Sequence, residues 1–367
     1  MEKEKIKIYL QSPWKFPDSP YYKYLVSSPP RNVEFQNIKK QKGVITNKKV
    51  FWILNFLKRN IRRGINKLNL SLPNAHLSPE GNYDLIHCAH CLSKNQNKPW
   101  VADIESWWSM YLSGKESKKT QKKVLQIILS KNCKKIIPWT ENTKKDILKT
   151  FPGIANKLEV VYPAIPEIKD LKKPRNKKLK IIFIARYFDL KGGIIALEVL
   201  ERLRKNHNIE GIVVSDVPEG LKKKYSNLKI YDLIPQKKLF DLMLNSDIFL
   251  YPSFVDTFGF SLLEAMSFGL PTITLNRKDE PNSRKEIIEQ GKTGFIVDVE
   301  EKLDLKKIGD YEEEIIKKLI EKTTQLLINN QLREKMSKEC LKTIKKGKFS
   351  IERRNEKLEK IYGESIK

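Results

Sequence analysis

At 367 residues, with 40% hydrophobic positions, 16 glycines and 18 prolines, the chain has the length and composition of two ordinary globular domains, each able to bury a core. It contains no low-complexity tract, no internal repeat and no run of about 18 apolar residues that could span a bilayer. Its 71 basic residues against 44 acidic ones give a formal net charge of +27, which favours an anionic partner and leaves nucleic acid, lipid head groups and phosphorylated substrates open.

Cys88, Cys91, Cys133 and Cys340 are too scattered for a disulfide framework, so a reducing cytoplasm is the expected setting. The charged start MEKEKIKIYL runs straight into a strand and predicts no signal peptide. Residues 5–11 read as that strand, and PWKFPDSPYYKYLVSSPP follows, with Ser19 and Tyr21 to Tyr24 opening the first helix. From Val44 to Lys67, Val50, Phe51, Ile53, Leu54, Leu57, Ile61 and Ile65 recur at helical spacing. Lys58, Arg59, Arg62, Arg63 and Lys67 accompany them with no acid among them. A basic amphipathic helix carrying Trp52 fits an anionic membrane surface, and it fits equally a helix packed on its own sheet with a solvated basic face.

YDLIHCAHCLS supplies His87, Cys88, His90 and Cys91, but side chains on a strand end alternate between faces and do not readily close one tetrahedron, so no metal is expected. Trp100 to Ile104 reads as a second strand, running into Glu105 and Ser106 ahead of a helix near Trp107. From Lys115 to Lys135 eight lysines accompany only Glu116 around the apolar VLQIIL, a second basic face. CKKIIPWTENTKKDILKT reads as strand, cap and helix, with Thr140 or Asn142 as the cap. The lysine-rich PEIKDLKKPRNKK after EVVYPAIP reads as a linker.

LKIIFIARYFDLKGGIIALEVLERLRK is a buried strand, a loop and an amphipathic helix, a βα unit of a doubly wound domain. Arg186 and Lys191, with Gly192 and Gly193 at the helix start, offer two cations and free amides to a diphosphate; two ordinary surface cations are the plainer alternative. Strand and helix continue to alternate as far as LYPSFVDTFGFSLLEAMSFGLPTIT, which reads strand, loop, a helix starting near Phe258 and closed by Gly269 and Pro271, then a strand. Asp256 precedes that helix, Gly259 admits a close backbone approach, and Glu264 stands eight positions beyond Asp256. Two carboxylates beside an anion-binding helix end suit a ligand with both phosphates and hydroxyls, as in a sugar nucleotide. An acidic cap and a helix-face glutamate account for the same residues.

This last stretch resembles the glutamate-x7-glutamate signature of the GT-B glycosyltransferase family called group 1 or family 4, with Asp256 replacing the first glutamate and Glu264 as the second. Pro252, Ser253, Ala265, Met266, Gly269 and Pro271 stand in their usual places, and Arg186, Lys191 and Gly192 are similar to the family's arginine-x4-lysine-glycine. The resemblance is strong over 180–300 and weak before 165. It implies an α/β, GT-B architecture of two Rossmann-like doubly wound domains facing a central cleft. An acceptor-side domain would cover 1–165 and a nucleotide-sugar domain 166–348, while a helix over 349–367, opened by Ser350 with Ile351, Leu358 and Ile361 on one face, would cross back to the first.

The resemblance further implies retaining transfer with no metal, no cofactor and no protein nucleophile. Asp256 and the backbone of Phe258, Gly259 and Phe260 would hold the donor sugar, Glu264 the ribose, and the turn at Ile234 and Pro235 the base. Arg186 and Lys191 would stabilise the leaving diphosphate, which itself takes the acceptor's proton. The chain departs from the family in having Pro13 and Pro17 for a glycine pair and Pro163-Ala164 for asparagine-glycine. At the usual cleft histidine stands Glu105, or Asp103 in the alternate register, a carboxylate for a sugar hydroxyl or the acceptor's proton, or else a helix cap. His87 and His90 would line the domain interface.

The expected protein is therefore a cytoplasmic glycosyltransferase, peripheral at the inner membrane face through Val44–Lys67 and Lys115–Lys135, acting on a lipid-linked saccharide, a protein side chain or a soluble sugar. A catalytically idle scaffold at a membrane remains an alternative because of Glu105. A basic nucleic-acid-binding protein is disfavoured by the lack of a stacking motif, a helix-turn-helix or a zinc module.

Overall fold

The computed structural model describes residues 4–11, 20–37, 71–112, 117–174, 177–256, 258–277, 283–299 and 308–367, with Ile53, Phe56, Asn60, Arg63 and Gly64 between them. Most of Val44–Lys67, together with Pro13, Pro17, Ser19 and Lys115, lies outside the described residues. The chain divides into two units, Met1–Ala164 with Ile351–Lys367, and Ile165–Ser350.

In the first unit, apolar runs too short for helices become strands and the intervening segments coil. Its elements are β1 (Ile6–Gln11), α1 (Pro20–Ser27), β2 (Val33–Phe35), β3 (Ala75–His76), β4 (Leu85–Ala89), β5 (Leu92–Ser93) and β6 (Trp100–Ile104). A 3-10 turn (Trp107–Met110), α2 (Lys118–Leu129), β7 (Cys133–Pro138) and α3 (Glu141–Thr150) follow. The main sheet has the order β2-β1-β4-β6-β7, with every pair parallel, and β3 pairs β5 apart from it. Thr140 caps α3, its hydroxyl accepting from the Thr143 amide.

Central strands of a parallel sheet are covered on both faces, and β4 and β6 are buried at every position. Two polar side chains nevertheless sit in them: Asp103 is hydrogen-bonded through both oxygens, whereas His87 is hydrogen-bonded at Nδ1 alone. The Asp103 carboxylate accepts from the Tyr22 hydroxyl at 2.8 and 2.9 Å and from the His90 amide at 3.0 Å. His87 places Nδ1 2.7 Å from the Tyr362 hydroxyl and Nε2 3.8 Å from Asp103. Tyr362 belongs to α11 (Ile351–Ser365), so the last helix is part of the first unit's core. It buries Leu358, Ile361 and Tyr362, and also Arg354, whose guanidinium donates to the Ser28 carbonyl at 2.6 Å. His87, expected at a domain interface, is fully buried inside the first unit because this helix covers it.

The second unit comprises β8 (Leu179–Ile184), α4 (Gly193–Asn206), β9 (Ile209–Val214), α5 (Glu219–Lys224), β10 (Lys229–Tyr231), α6 (Gln236–Leu244) and β11 (Ile248–Tyr251). Then come α7 (Phe260–Ser267), β12 (Thr272–Arg277), α8 (Arg284–Ile287), β13 (Gly294–Val299), α9 (Ile308–Ile328) and α10 (Asn330–Lys345). The sheet order is β10-β9-β8-β11-β12-β13, again all parallel. The chain winds outward from β8 in one direction, then returns to β11 and winds in the other. That reversal leaves the carboxyl ends of β8 and β11 as the topological switch point, where open α/β sheets bind ligands. Among the described residues no helix is long and apolar enough to cross a membrane.

Tyr362→Phe keeps the ring and removes one buried partner from His87, so the protein should lose about 1–2 kcal/mol of stability, read as a lower urea midpoint at unchanged slope.

Candidate functional site

The site is assembled from the two loops leaving the switch point. After β8 the chain turns through Ala185 to Gly192, pinned where the Phe188 amide donates to Asp216 at 3.1 Å. Gly192 closes the turn in the left-handed region, φ 71°, and a Cβ there would stand 2.0 Å from the Pro252 carbonyl oxygen. Only glycine permits this approach, and through it the β8 loop lies directly on the loop that follows β11.

Lys191 spans the contact. Its ammonium donates to the Val255 carbonyl at 2.7 Å, stands 3.4 Å from Asp256 Oδ1, and lies 5.7 Å from the centre of the Tyr251 ring. On the other side the Tyr251 hydroxyl donates to Asp256 Oδ2 at 2.7 Å. Burial pushes the Tyr251 phenol well above its ordinary value, and the Asp256 charge adds to the effect, so the hydroxyl remains a donor.

The backbone of the Asp256 loop is fixed from below. Arg284 is fully buried, and its guanidinium donates to the carbonyls of Ser253, of Leu275 at 2.7 Å and of Phe254 at 3.2 Å. The neighbouring Ser283 hydroxyl donates to the Phe258 carbonyl at 2.6 Å. Helix α7 begins at Phe260 rather than near Phe258, because Gly259, at φ 100°, occupies the cap. A Cβ on Gly259 would come within 3.3 Å of Asp256 Oδ2.

Of the residues singled out in the sequence, Lys191 and Asp256 are in contact, with Gly259 beside them. Arg186 is half-buried on the same loop as Lys191, and Glu264 is half-buried on α7. The Phe258 ring packs inward at 5.1 Å from Phe260 and 6.4 Å from Phe349, so only its backbone faces the loop. Ile234 lies between β10 and α6, two strands from β8 in the sheet order.

In the first unit, Glu105 is half-buried just beyond β6, and the residue that caps the following turn is Ser106. Asp103 is fully buried, and its oxygens are occupied by Tyr22 and the His90 amide, with the Trp139 indole at 3.4 Å. Burial pushes its carboxyl up, but the nearby imidazoles of His87 and His90 and the hydrogen bond from the His90 amide outweigh this and hold it below the usual range. Among the described residues no cluster of three or more metal-ligating side chains occurs.

Three residues were missed from sequence. Tyr251 reads as the end of an apolar strand, and Ser283 and Arg284 sit in a polar stretch, NSRKEII, where a basic residue is unremarked in a chain this basic. A signal was available for Arg284 only in its place three residues before the apolar pair Ile287-Ile288.

Residues 165–342 match the family model described as glycosyl transferases group 1. An uncharacterized 41.2 kDa protein in the cps region of Klebsiella pneumoniae is 28% identical over 242 residues, covering 62% of this chain and 61% of that one. The phosphatidylinositol N-acetylglucosaminyltransferase GPI3 subunit of Saccharomyces cerevisiae is 26% identical over 157 residues, covering 40% of this chain and 34% of its own. The match thus spans less than two thirds of each of these relatives. Among solved structures, HepE of Anabaena in complex with UDP has a TM-score of 0.61 at 14% identity, with 98% of this chain and 100% of that one covered.

Arg284→Met removes the guanidinium donor from three buried carbonyls and should destabilise the protein by roughly 3 kcal/mol in chemical denaturation, far more than loss of an exposed arginine would. Because Asp103 is held below its unfolded value of about 3.9, it adds stability that is complete above that pH and is lost as the pH falls through the lower folded value. The unfolding midpoint of Asp103→Asn should accordingly start lower and fall less steeply than that of the wild type on acidification below about pH 4.

Proposed function

From the match of residues 165–342 to the group 1 glycosyl transferase model and from the GT-B fold, we propose that the chain is a retaining glycosyltransferase that moves a sugar from a nucleotide-diphosphate donor to an acceptor hydroxyl. The observation that carries the reading is the Lys191–Asp256 contact at the switch point, which sets a cation and a carboxylate side by side at the head of α4.

In this reading the donor diphosphate lies against Lys191, Arg186 and the amides that open α4, a positively polarised end. Charge grows on the diphosphate as the sugar–phosphate bond breaks, and fixed cations stabilise that charge more than they stabilise the ground state. Asp256 accepts hydrogen bonds from hydroxyls of the sugar, Glu264 from those of the ribose, and the β10–α6 loop at Ile234 meets the base. The departing diphosphate takes the acceptor's proton, so the sugar is received on the face it left and no protein nucleophile is used. Glu105 stays assigned to the acceptor side, as a carboxylate for a sugar hydroxyl.

UDP in the HepE structure supports a uridine donor as the first to test. The phosphatidylinositol named for the yeast relative supports a lipid-linked acceptor. A peripheral membrane seat agrees with the exposed Ile53 and Phe56 of the first basic stretch, and with α2, where Lys118, Lys119, Lys122 and Lys123 are exposed alongside Leu129.

A thermal-shift screen against UDP, GDP, ADP and their sugar conjugates should show one nucleotide raising the melting temperature, since ligand at a hundredfold excess over Kd adds about 2.7 kcal/mol. Lys191→Ala and Glu264→Ala should each abolish that shift. A folded wild type with no shift for any nucleotide would sink the reading.

A further inference from the structure

We propose that Tyr251 is a positioning residue that keeps Asp256 aimed at the donor sugar after Lys191 has been drawn away by the diphosphate; the inference rests on the donor site proposed above. Asp256 is held from two sides, at Oδ1 by Lys191 and at Oδ2 by Tyr251. The two holds differ in kind. The Lys191 ammonium lies 3.4 Å from the carboxylate, beyond the 2.7–2.9 Å of a charge-assisted hydrogen bond, and its short contact is to the Val255 carbonyl at 2.7 Å. The Tyr251 hydroxyl makes a full hydrogen bond at 2.7 Å.

A diphosphate carries more charge than one carboxylate and competes for Lys191. As Lys191 turns to it, Oδ1 is freed to accept a sugar hydroxyl, and the carboxylate loses one of its two holds at the moment its direction matters. Tyr251 keeps the other. Its own placement does not depend on ligand: it ends β11, is 3% exposed, stacks on Phe249 at 5.5 Å, and its carbonyl accepts from Thr274 at 2.8 Å. Since Arg284 anchors the loop backbone at Ser253 and Phe254, the side-chain torsions of Asp256 are the freedom left, and the phenol restricts them.

Tyr251→Phe deletes the hydroxyl and nothing else. Binding of UDP, measured by calorimetry, should stay within about twofold of wild type, because the diphosphate contacts are untouched. The additional affinity of the UDP-sugar over UDP should disappear, the KM for donor should rise by no more than that lost factor, and kcat should fall by about 10- to 100-fold, as expected when a group that orients the reacting sugar is misplaced by a fraction of an ångström to an ångström. In combination with Asp256→Asn the two losses should not add, since both act through one carboxylate.

A Tyr251→Phe enzyme with wild-type kcat overturns the proposal. So does one that loses UDP and UDP-sugar affinity in equal measure, which would mark Tyr251 as a support of the fold. A wild type that binds no nucleotide sinks the donor site first and Tyr251 with it, so the two failures are told apart by the wild-type titration.

Discussion

The second unit's site depends on how closely two strand-to-helix loops approach. At the switch point of a parallel sheet the loops after β8 and β11 emerge side by side, but adjacency alone leaves them a side chain's width apart. Gly192 removes that width, since its missing Cβ is where the Pro252 carbonyl lies, 2.0 Å from the position the atom would take. Once the backbones touch, Lys191 can reach Val255 and Asp256, with its ammonium over the Tyr251 ring and the Tyr251 hydroxyl on the carboxylate. A left-handed glycine thus decides the electrostatics of its neighbours.

Both units bury a charged group near strand ends, and each solves the cost differently. An unpaired buried ion costs several kcal/mol, so its hydrogen-bonding capacity must be filled. Asp103 is filled by donors, namely a phenol, a main-chain amide and an indole, and histidines nearby hold it ionised. Arg284 gives its two terminal nitrogens to main-chain carbonyls from two elements, Ser253 and Phe254 of the loop and Leu275 of β12. In the first unit the result ties the last helix of the chain to its core through His87 and Tyr362. In the second it stiffens the loop that carries Asp256.

Between them these arrangements separate recognition from support. Lys191, Asp256 and Glu264 retain some exposure, as the proposed donor site requires, whereas Tyr251, Ser283 and Arg284 are buried and hold the loop in place. Such division suits a reaction in which positioning and charge stabilisation do most of the chemistry. Shortening the first carboxylate from glutamate to aspartate is consistent with it, because the shorter side chain has fewer torsions and Tyr251 restrains them.

The alternation of apolar runs and amphipathic helices was sufficient, from sequence alone, to determine an α/β chain with parallel sheets, since strand length, helix period and glycine or proline stops are local properties. The pair Lys191 and Asp256 was legible for the same reason: motif spacing is a property of the chain. What stayed illegible was set by contacts between distant residues. Whether Asp103 or Glu105 is available to a ligand depends on Tyr22 and the His90 turn closing over the former, and nothing in WVADIES says so. That α7 starts at Phe260, that Arg284 lies under Ser253, and that Arg354 is buried against Ser28 follow from backbone geometry and packing across 31 and 326 positions of sequence. Periodicity reports which side of an element faces inward, and only the tertiary structure decides what meets it there.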